Sequence, residues 1–210
     1  MTETDFLALS VREFAACTAD KTPTPGGGSV AGAVGSLAAA LGEMSLNFTR
    51  GKKKFAEHEG FYAHLAPRLT KAREMFQALV ADDVAAYSFY QETAKTPDGP
   101  EKDQAMQTAT AAAISVPREA TKLALALLAD LRELADKCNP YLITDLLAAA
   151  QLAVATVYLS DLNVRINVPN LADKPAARDM RDGSAGDLAK ARAIMADIET
   201  VANPMLDKPL

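Results

Sequence analysis

Apolar side chains recur along most of the chain with the spacing of an α-helix. Over residues 4–19 this spacing predicts a surface helix with Thr4 or Asp5 as its N-cap. The apolar positions of that segment are Phe6, Leu9, Phe14 and Cys17. A cluster of proline and glycine at residues 21–28 predicts a loop, and the apolar run from Ser29 to Phe48 predicts a helix that begins at this loop.

Five further helices are predicted by the same spacing. They cover residues 56–94, 101–115, 117–139, 141–164 and 185–201, with a kink or interruption expected at Pro67. Pro117 suits the first turn of its helix, and Pro204 marks the end of the last one. The segment 141–164 is apolar on nearly all sides, which is typical of a helix in the middle of a bundle or at a subunit interface. We therefore predict an all-α fold, a single-domain helical bundle with long central helices over residues 1–210.

The predicted helix from Ser29 to Phe48 carries a stripe of small side chains. Its members are Gly32, Gly35, Ala39 and Gly42, spaced three or four residues apart. Such a stripe lets the backbone of another helix approach closely. The run is apolar enough to resemble a membrane span, but Glu43 falls inside it, so a buried central helix and no membrane partner are expected.

Composition narrows the class of protein. The 210 residues are 49% hydrophobic but only 6% aromatic, with no tryptophan, which favours closely packed helices over strands. A net charge of −5 argues against nucleic acid as a partner. Cys17 and Cys138 lie far apart and form no metal or disulfide motif, and the first residues lack a secretion signal. We therefore expect a cytoplasmic protein with reduced cysteines.

The loop before the apolar helix is the first candidate binding element. In Pro23–Ser29 the glycines let backbone amides face a ligand, and the following helix offers the positive end of its dipole to an anion. No Lys-Ser or Lys-Thr pair follows, so the loop is not a Walker motif. The simpler alternative is a tight turn with Ser29 as N-cap. The candidate residues are Pro25, Gly26, Gly27, Gly28 and Ser29.

A basic run lies just beyond the other end of that helix. Arg50, Lys52, Lys53 and Lys54 place four cations within five positions of an acidic chain. Such a run is either a solvated turn or a site for carboxylates or phosphates.

Carboxylates on otherwise apolar segments are the candidate acids and bases. Asp82 and Asp83 follow three apolar residues, so at least one should turn inward, where burial would raise its pKa and suit it for proton transfer. The alternative is an exposed pair. Asp145, flanked by Ile143 and Leu146, should be buried and in need of a partner such as Lys53, Arg165 or a residue of a second subunit.

The end of the same predicted helix is polar. Its polar residues are Asp161, Asn163, Arg165 and Asn167, and the last three would share one side if that stretch were extended. His58 and His64 lie near two glutamates, but their spacing matches no metal motif, so no metal site is expected.

Several of these stretches together resemble the cyclodeaminase and cyclohydrolase family, which includes the C-terminal part of formiminotransferase-cyclodeaminase and its stand-alone bacterial relatives. The matching stretches are PTPGGGS at 23–29, GKKKF at 51–55, DDVAAY at 82–87, NP and TD within 139–145, and NVRIN at 163–167. They occur in family order across most of the chain. The resemblance implies an all-helical homodimer, a one-carbon folate substrate and no additional cofactor.

The resemblance also implies roles for the site residues. Family members act on the carbon that bridges N5 and N10 of tetrahydrofolate, through a tetrahedral intermediate. Proton transfer and stabilisation of the cation are assigned to Asp83 and Asp145, with Lys53 as a further catalytic residue. Lys52, Lys54 and Arg165 would hold carboxylates or orient the pterin. The remaining motif residues assigned to substrate are Asp82, Asn139, Thr144 and Asn163.

The chain departs from the family pattern around Asp145. Relatives read GNPNAVSDAGVA where this chain reads CNPYLITDLLAA, so larger residues stand at Cys138, Tyr141, Thr144 and Leu147. Either the pocket is reshaped for a different one-carbon pterin, or catalysis is lost while the bundle remains.

Methenyltetrahydrofolate cyclohydrolase is the function favoured by the sequence, because no formiminotransferase domain accompanies these residues. Formiminotetrahydrofolate cyclodeaminase is the alternative within the family. A non-catalytic helical protein that binds a pterin or a partner is the alternative outside it, supported by the altered region around Asp145.

Overall fold

The computed structural model describes residues 5–206, and all regular structure in this range is helical. Six α-helices form the bundle. They are α1 (Val11–Ala19), α2 (Gly27–Asn47), α3 (Glu59–Ala94), α4 (Pro100–Ala135), α5 (Ile143–Asn167) and α6 (Lys174–Leu206). Short 3₁₀ segments precede α1, α3 and α5 and follow α5. The predicted all-α class with long central helices is confirmed.

Helix α5 is the centre of the bundle. It packs against α2, α4 and α6, while α3 packs against α2 and α4. The core between these helices is built from leucine, alanine and valine, with Tyr62 and Phe76 as its large fully buried aromatic side chains. A core of small aliphatic groups follows from the composition, since there is little aromatic surface to bury.

The glycine stripe of α2 lies directly against α3, as the sequence predicts. A Cβ placed on Gly32 would lie 3.0 Å from the backbone oxygen of Phe76, and one placed on Gly35 would lie 2.5 Å from the Phe76 ring. Real Cβ atoms do not approach other atoms so closely. The absence of side chains at these positions therefore sets the separation of the two helices.

The predicted break at Pro117 is wrong, because residues 100–135 form one continuous helix with Pro117 inside it. Proline removes one hydrogen bond from a helix interior. Here buried residues on both sides, Ile114 and Ala120 among them, pack against the rest of the bundle and hold the helix together. Pro67 likewise lies inside α3 without ending it.

The chain ends also differ from the prediction. The first segment is a 3₁₀ turn at Phe6–Ala8 followed by α1, because Ser10 caps α1 through a capping box with Glu13. Asp5 caps the 3₁₀ turn as expected, whereas Thr4 lies outside the described residues. At the other end α6 begins at Lys174, eleven residues earlier than predicted, and Pro204 lies within it.

Two helical stretches of the described chain have the length and hydropathy of a membrane span. They are Gly27–Asn47, with mean hydropathy 1.3, and Pro140–Asn170, with mean hydropathy 1.7. About half of each is buried within the bundle, 56% and 50% respectively. Core helices of soluble proteins have the same properties, so these two stretches are weak evidence for a membrane.

Replacing Gly35 by valine tests the α2–α3 contact. We expect Gly35→Val to lower the free energy of unfolding by about 1–3 kcal/mol, because the fully buried Phe76 ring has no space to move into. Urea unfolding followed by circular dichroism measures this change. Gly60→Val in the first turn of α3, where nothing lies within 4 Å of the added carbon, is the matched control. Equal midpoints for the two variants would contradict the expectation.

Candidate functional site

The glycine-rich loop delivers its residues to the N-terminus of α2. Gly26 is the N-cap of the helix, and no side chain caps it. The alternative of Ser29 as N-cap is therefore wrong. Ser29 is fully buried, and its hydroxyl donates a 2.7 Å hydrogen bond to Oδ2 of Asp83 on α3. Ser29, the last residue of the loop motif, is therefore hydrogen-bonded to a carboxylate that lies 54 residues away in the sequence.

Asp83 has the environment of a proton-transfer group. Burial raises the pKa of its carboxyl above the ordinary value, while hydrogen bonds from Ser29 partly oppose this shift. A side chain at Gly28 would overlap the carboxylate, so the backbone of α2 passes directly beside Asp83. The prediction that one of the two aspartates turns inward is met by Asp83, while Asp82 is exposed on the neighbouring face of α3.

Asn163 on α5 completes this group. Its Nδ2 lies 3.6 Å from the position of a Cβ on Gly27, and it donates to the carbonyl of Leu159 at 2.9 Å. Three separate sequence features, the glycine loop, the aspartate pair and the polar end of α5, therefore meet in one place. We call Ser29, Asp83, Asn163 and the glycines at 26–28 the Asp83 cluster.

A second group of predicted site residues lies at the opposite end of α2. Asn139 of this group binds Thr49, which was not predicted; the Thr49 hydroxyl accepts from the backbone of Asn139 at 2.9 Å and donates to the carbonyl of Ser45 at 2.7 Å. Asn139 is 5% exposed. Its side chain donates to Phe48 and accepts from the backbone of Tyr141, so its polar groups hold the turn before α5.

Asp145 and the lysines belong to this second end. Asp145 lies in the first turn of α5 and is only half-buried, so the expected deep burial is wrong. The helix N-terminus stabilises its negative charge without a paired cation. Lys52, Lys53 and Lys54 follow the C-terminus of α2 and are exposed, as is Thr144. We call Lys52–Lys54, Asn139, Thr144 and Asp145 the Asp145 cluster.

The two clusters are separated by the length of the bundle. Helix α2 runs from one to the other over 21 residues, about 30 Å at 1.5 Å per residue. Asp83 and Asp145 of one chain therefore do not share a site. The expected pairing of Asp145 with Arg165 is excluded by the same argument, because the two residues stand at opposite ends of α5.

Arg165 lies on a different side of α5 from Asn163. The expected extended stretch is wrong, since residues 163–167 are the last turns of α5, and the side chain of Asn167 donates to the Asn163 carbonyl. Positions two residues apart on a helix point in nearly opposite directions. Arg165 accordingly approaches Asp161, with 3.7 Å between Nη1 and Oδ2, and faces α6.

Two polar contacts near these clusters carry no sequence signal. Thr49 is a lone threonine after an apolar run, and nothing in its neighbours predicts the bond to Asn139. Asp161, 2% exposed, accepts a 2.8 Å hydrogen bond from Ser184 of α6. Within residues 5–206, no three His, Cys, Asp or Glu side chains lie together in a way that could hold a metal ion.

Comparison with known proteins identifies chains that are similar to this one. The family model described as formiminotransferase-cyclodeaminase matches residues 10–185. The chain is 31% identical over 191 residues to a methenyltetrahydrofolate cyclohydrolase of Methylorubrum extorquens, covering 88% of this chain and 91% of that protein. It is 32% identical over 166 residues to the formimidoyltransferase-cyclodeaminase of Gallus gallus, covering 77% of this chain. There the matched part spans 31% of the relative's length.

A solved structure has the same fold. The crystal structure of formiminotetrahydrofolate cyclodeaminase from Thermotoga maritima superimposes with a TM-score of 0.87 and 29% sequence identity. The match covers 94% of this chain and 98% of that chain. The similarity therefore extends over nearly the whole bundle.

Replacing Asp83 by asparagine tests the burial of its carboxyl through stability. The pKa of the Asp83 carboxyl is raised above 3.8 in the folded chain. Proton binding therefore stabilises the folded chain below pH 3.8, and this stabilisation is lost as the pH rises through the folded-state pKa. We expect Asp83→Asn to remove this loss and to be at least as stable as the wild type at neutral pH. Urea unfolding across the acidic range measures it. Asp82→Asn, which removes an exposed carboxylate, should keep the wild-type profile.

Proposed function

The chain belongs to the formiminotransferase-cyclodeaminase family, and on this premise we propose that it is a methenyltetrahydrofolate cyclohydrolase. The proposed reaction hydrolyses the methenyl bridge between N5 and N10 of 5,10-methenyltetrahydrofolate and yields 10-formyltetrahydrofolate. The cyclohydrolase of Methylorubrum extorquens supports this choice, since the similarity covers 91% of its length. The formimidoyltransferase-cyclodeaminases match over only about a third of theirs.

The proposal rests on one observation. The Asp83 carboxyl is half-buried and lies directly beside the backbone of α2 at Gly28, which has no side chain. The Ser29 bond fixes the orientation of this carboxyl. The flat, cationic ring system of the substrate would bind against it. A carboxyl with a raised pKa is a stronger base than a solvated one, and it keeps its proton to a higher pH.

The chemistry follows from this environment. Water adds to the methenyl carbon, and Asp83 accepts one of its protons while its negative charge stabilises the cationic bridge. Asp83 then returns this proton to N5 as the bond between N5 and the tetrahedral carbon breaks. The hydroxyl on that carbon loses its proton to solvent and becomes the carbonyl of the formyl group on N10. One water is consumed and one proton is released overall. Asn163, beside Gly27, would donate to or accept from the pterin at the same position.

The second candidate is formiminotetrahydrofolate cyclodeaminase. It is favoured by the fold match to the stand-alone Thermotoga maritima cyclodeaminase, which extends over 98% of that chain. The two reactions pass through similar tetrahedral carbons, and the same acid that protonates N5 in one would protonate the leaving ammonia in the other.

We propose in addition that the active unit is a homodimer in which the Asp83 cluster of one chain meets the Asp145 cluster of its partner. A single chain holds these clusters about 30 Å apart along α2. A two-fold axis perpendicular to α2 and α5 would place opposite ends side by side, because each chain then runs antiparallel to the other. Lys52–Lys54 of the second chain would supply the cations for the glutamate carboxylates of the folate.

The surface of α2 and α5 supports such a pairing. On α2 the exposed large side chains are Leu37 and Met44, with Phe48 just beyond the helix, and its one charged residue, Glu43, is paired with Arg73 at 3.1 Å. On α5, Tyr158 is exposed in the same way. An uncharged apolar stripe of this length is rare on a monomer and typical of a subunit interface.

The reaction is tested by following the absorbance of methenyltetrahydrofolate at neutral pH with and without the protein. We expect enzyme-dependent decay, reduced about 100-fold or more by Asp83→Asn because the proton-transfer group is removed. Glu74→Gln, an exposed carboxylate on the same helix, is the control and should keep full activity.

Two other results would replace the proposed reaction. Ammonia release from formiminotetrahydrofolate, without decay of the methenyl compound, would identify the chain as a cyclodeaminase. Saturable binding of both compounds without turnover would identify a non-catalytic pterin-binding protein.

The shared site is tested by mixing two inactive variants. We expect Asp83→Asn and Asp145→Asn each to lose activity, and the isolated heterodimer of the two variants to regain about half of wild-type activity, since one of its two sites is intact. Co-expression with two different affinity tags isolates the mixed dimers for the absorbance assay. Pure heterodimers as inactive as their parents would contradict a site shared between chains.

A further inference from the structure

A groove of about 1090 Å³ runs between the C-terminal half of α5 and helix α6. Along α6 it extends from Lys174 to Arg192, about 27 Å at 1.5 Å per residue. Leu162, Ile166 and Ala185 give it an apolar middle, and Ile166 is 71% exposed. The groove lies on the α6 side of α5, whereas Asn163 of the Asp83 cluster faces α2.

Cations dominate this groove in a chain whose net charge is −5. Five basic side chains line it against two carboxylates, and four of the five are arginines. The basic residues are Arg165, Lys174, Arg178, Arg181 and Arg192, and the acidic ones are Asp161 and Asp182. Like charges at such density repel one another unless an anion lies between them.

The carboxylates of the groove form only loose ion pairs, with two of these arginines. The contacts Arg165–Asp161 and Arg181–Asp182 measure 3.7 and 3.8 Å, beyond hydrogen-bond distance. Within the described chain, Arg178 and Arg192 form no ion pair. Lys174 instead donates to the backbone carbonyls of residues 169 and 171. The guanidinium donors of the groove are therefore left free for a ligand.

The wall that presents Arg165 is rigid. Asp161 is 2% exposed and is held by the 2.8 Å hydrogen bond from Ser184, which ties α5 to α6 at the level of the groove. Its Oδ2 lies 3.7 Å from Nη1 of Arg165. Arg178 and Arg181 stand three residues apart on α6 and so project from neighbouring positions of the facing wall.

We propose that this groove binds a small multivalent anion, a molecule with two or more carboxylate or phosphate groups. Guanidinium groups bind both kinds of oxyanion through paired hydrogen bonds, and the groove offers several within reach of one molecule. The apolar middle would contact the carbon skeleton of the ligand. The groove does not include Asp83 or the residues bonded to it, so the inference stands independently of the proposed reaction.

The test uses isothermal titration calorimetry of the full chain with citrate and with inorganic tripolyphosphate at constant ionic strength. We expect saturable binding of at least one of them with one molecule per chain, weakened roughly tenfold or more in Arg178→Gln/Arg181→Gln. A preference for citrate identifies a polycarboxylate ligand, and a preference for tripolyphosphate identifies a phosphorylated one. Both preferences support the site.

Matched variants distinguish a specific binding site from non-specific electrostatic attraction. Lys190→Gln removes an exposed cation from α6 outside the groove and should leave the affinity unchanged. Arg178→Gln alone, at an exposed position, provides a milder change, and circular dichroism checks that each variant folds. The proposal is overturned by no saturable binding of either anion, or by equal losses in Lys190→Gln and the double variant.

Discussion

The architecture depends on the contact between the glycine face of α2 and one face of α3. Gly28, Gly32 and Gly35 stand against Asp83, Val80 and Phe76 respectively, so the two antiparallel helices match in register over two turns. Only a helix without side chains on this face can come so close. The same contact that fixes the core also brings Ser29 within 2.7 Å of Asp83. Packing and the candidate chemistry are therefore set by one interface.

The length of α2 imposes the second constraint. Because the helix runs through the whole bundle, residues just before and just after it lie at opposite ends, whatever their roles. The glycine loop and the lysines of one chain therefore do not form two walls of one pocket. The proposed antiparallel pairing with a second chain would bring opposite ends of two α2 helices together.

The fold was largely predictable, because helical period and capping chemistry are local properties. The glycine stripe of α2 predicted a close helix contact, and that contact is present at Gly32 and Gly35. Pro117 misled the prediction, because a local rule about proline was overridden by buried residues on both sides. The early start of α6 was missed because its first turns are mostly polar and only Ala177 and Ser184 are buried there.

The sequence indicated which residues belong to the candidate site but not how they are arranged in space. Burial of Asp83 followed from its apolar neighbours, yet the same reasoning failed for Asp145, whose place in the first turn of α5 leaves it half-exposed. Sequence neighbours indicate the average environment of a helix, while exposure depends on which face meets another element. Exposure is therefore a property of the tertiary structure. It explains why the prediction of burial succeeded for Asp83 and failed for Asp145.

The residues that depart from the family pattern gain a physical meaning from their positions. Cys138 is buried beside Thr49, and burial raises the pKa of its thiol to about 11, so it is an inert packing group. Tyr141, by contrast, is 91% exposed and contacts no core, and Thr144 is exposed as well. Larger groups at these two positions fill no space within their own chain. The departures at Tyr141 and Thr144 therefore leave the packing of the bundle unchanged, whereas those at Cys138 and Leu147 lie within or against its core.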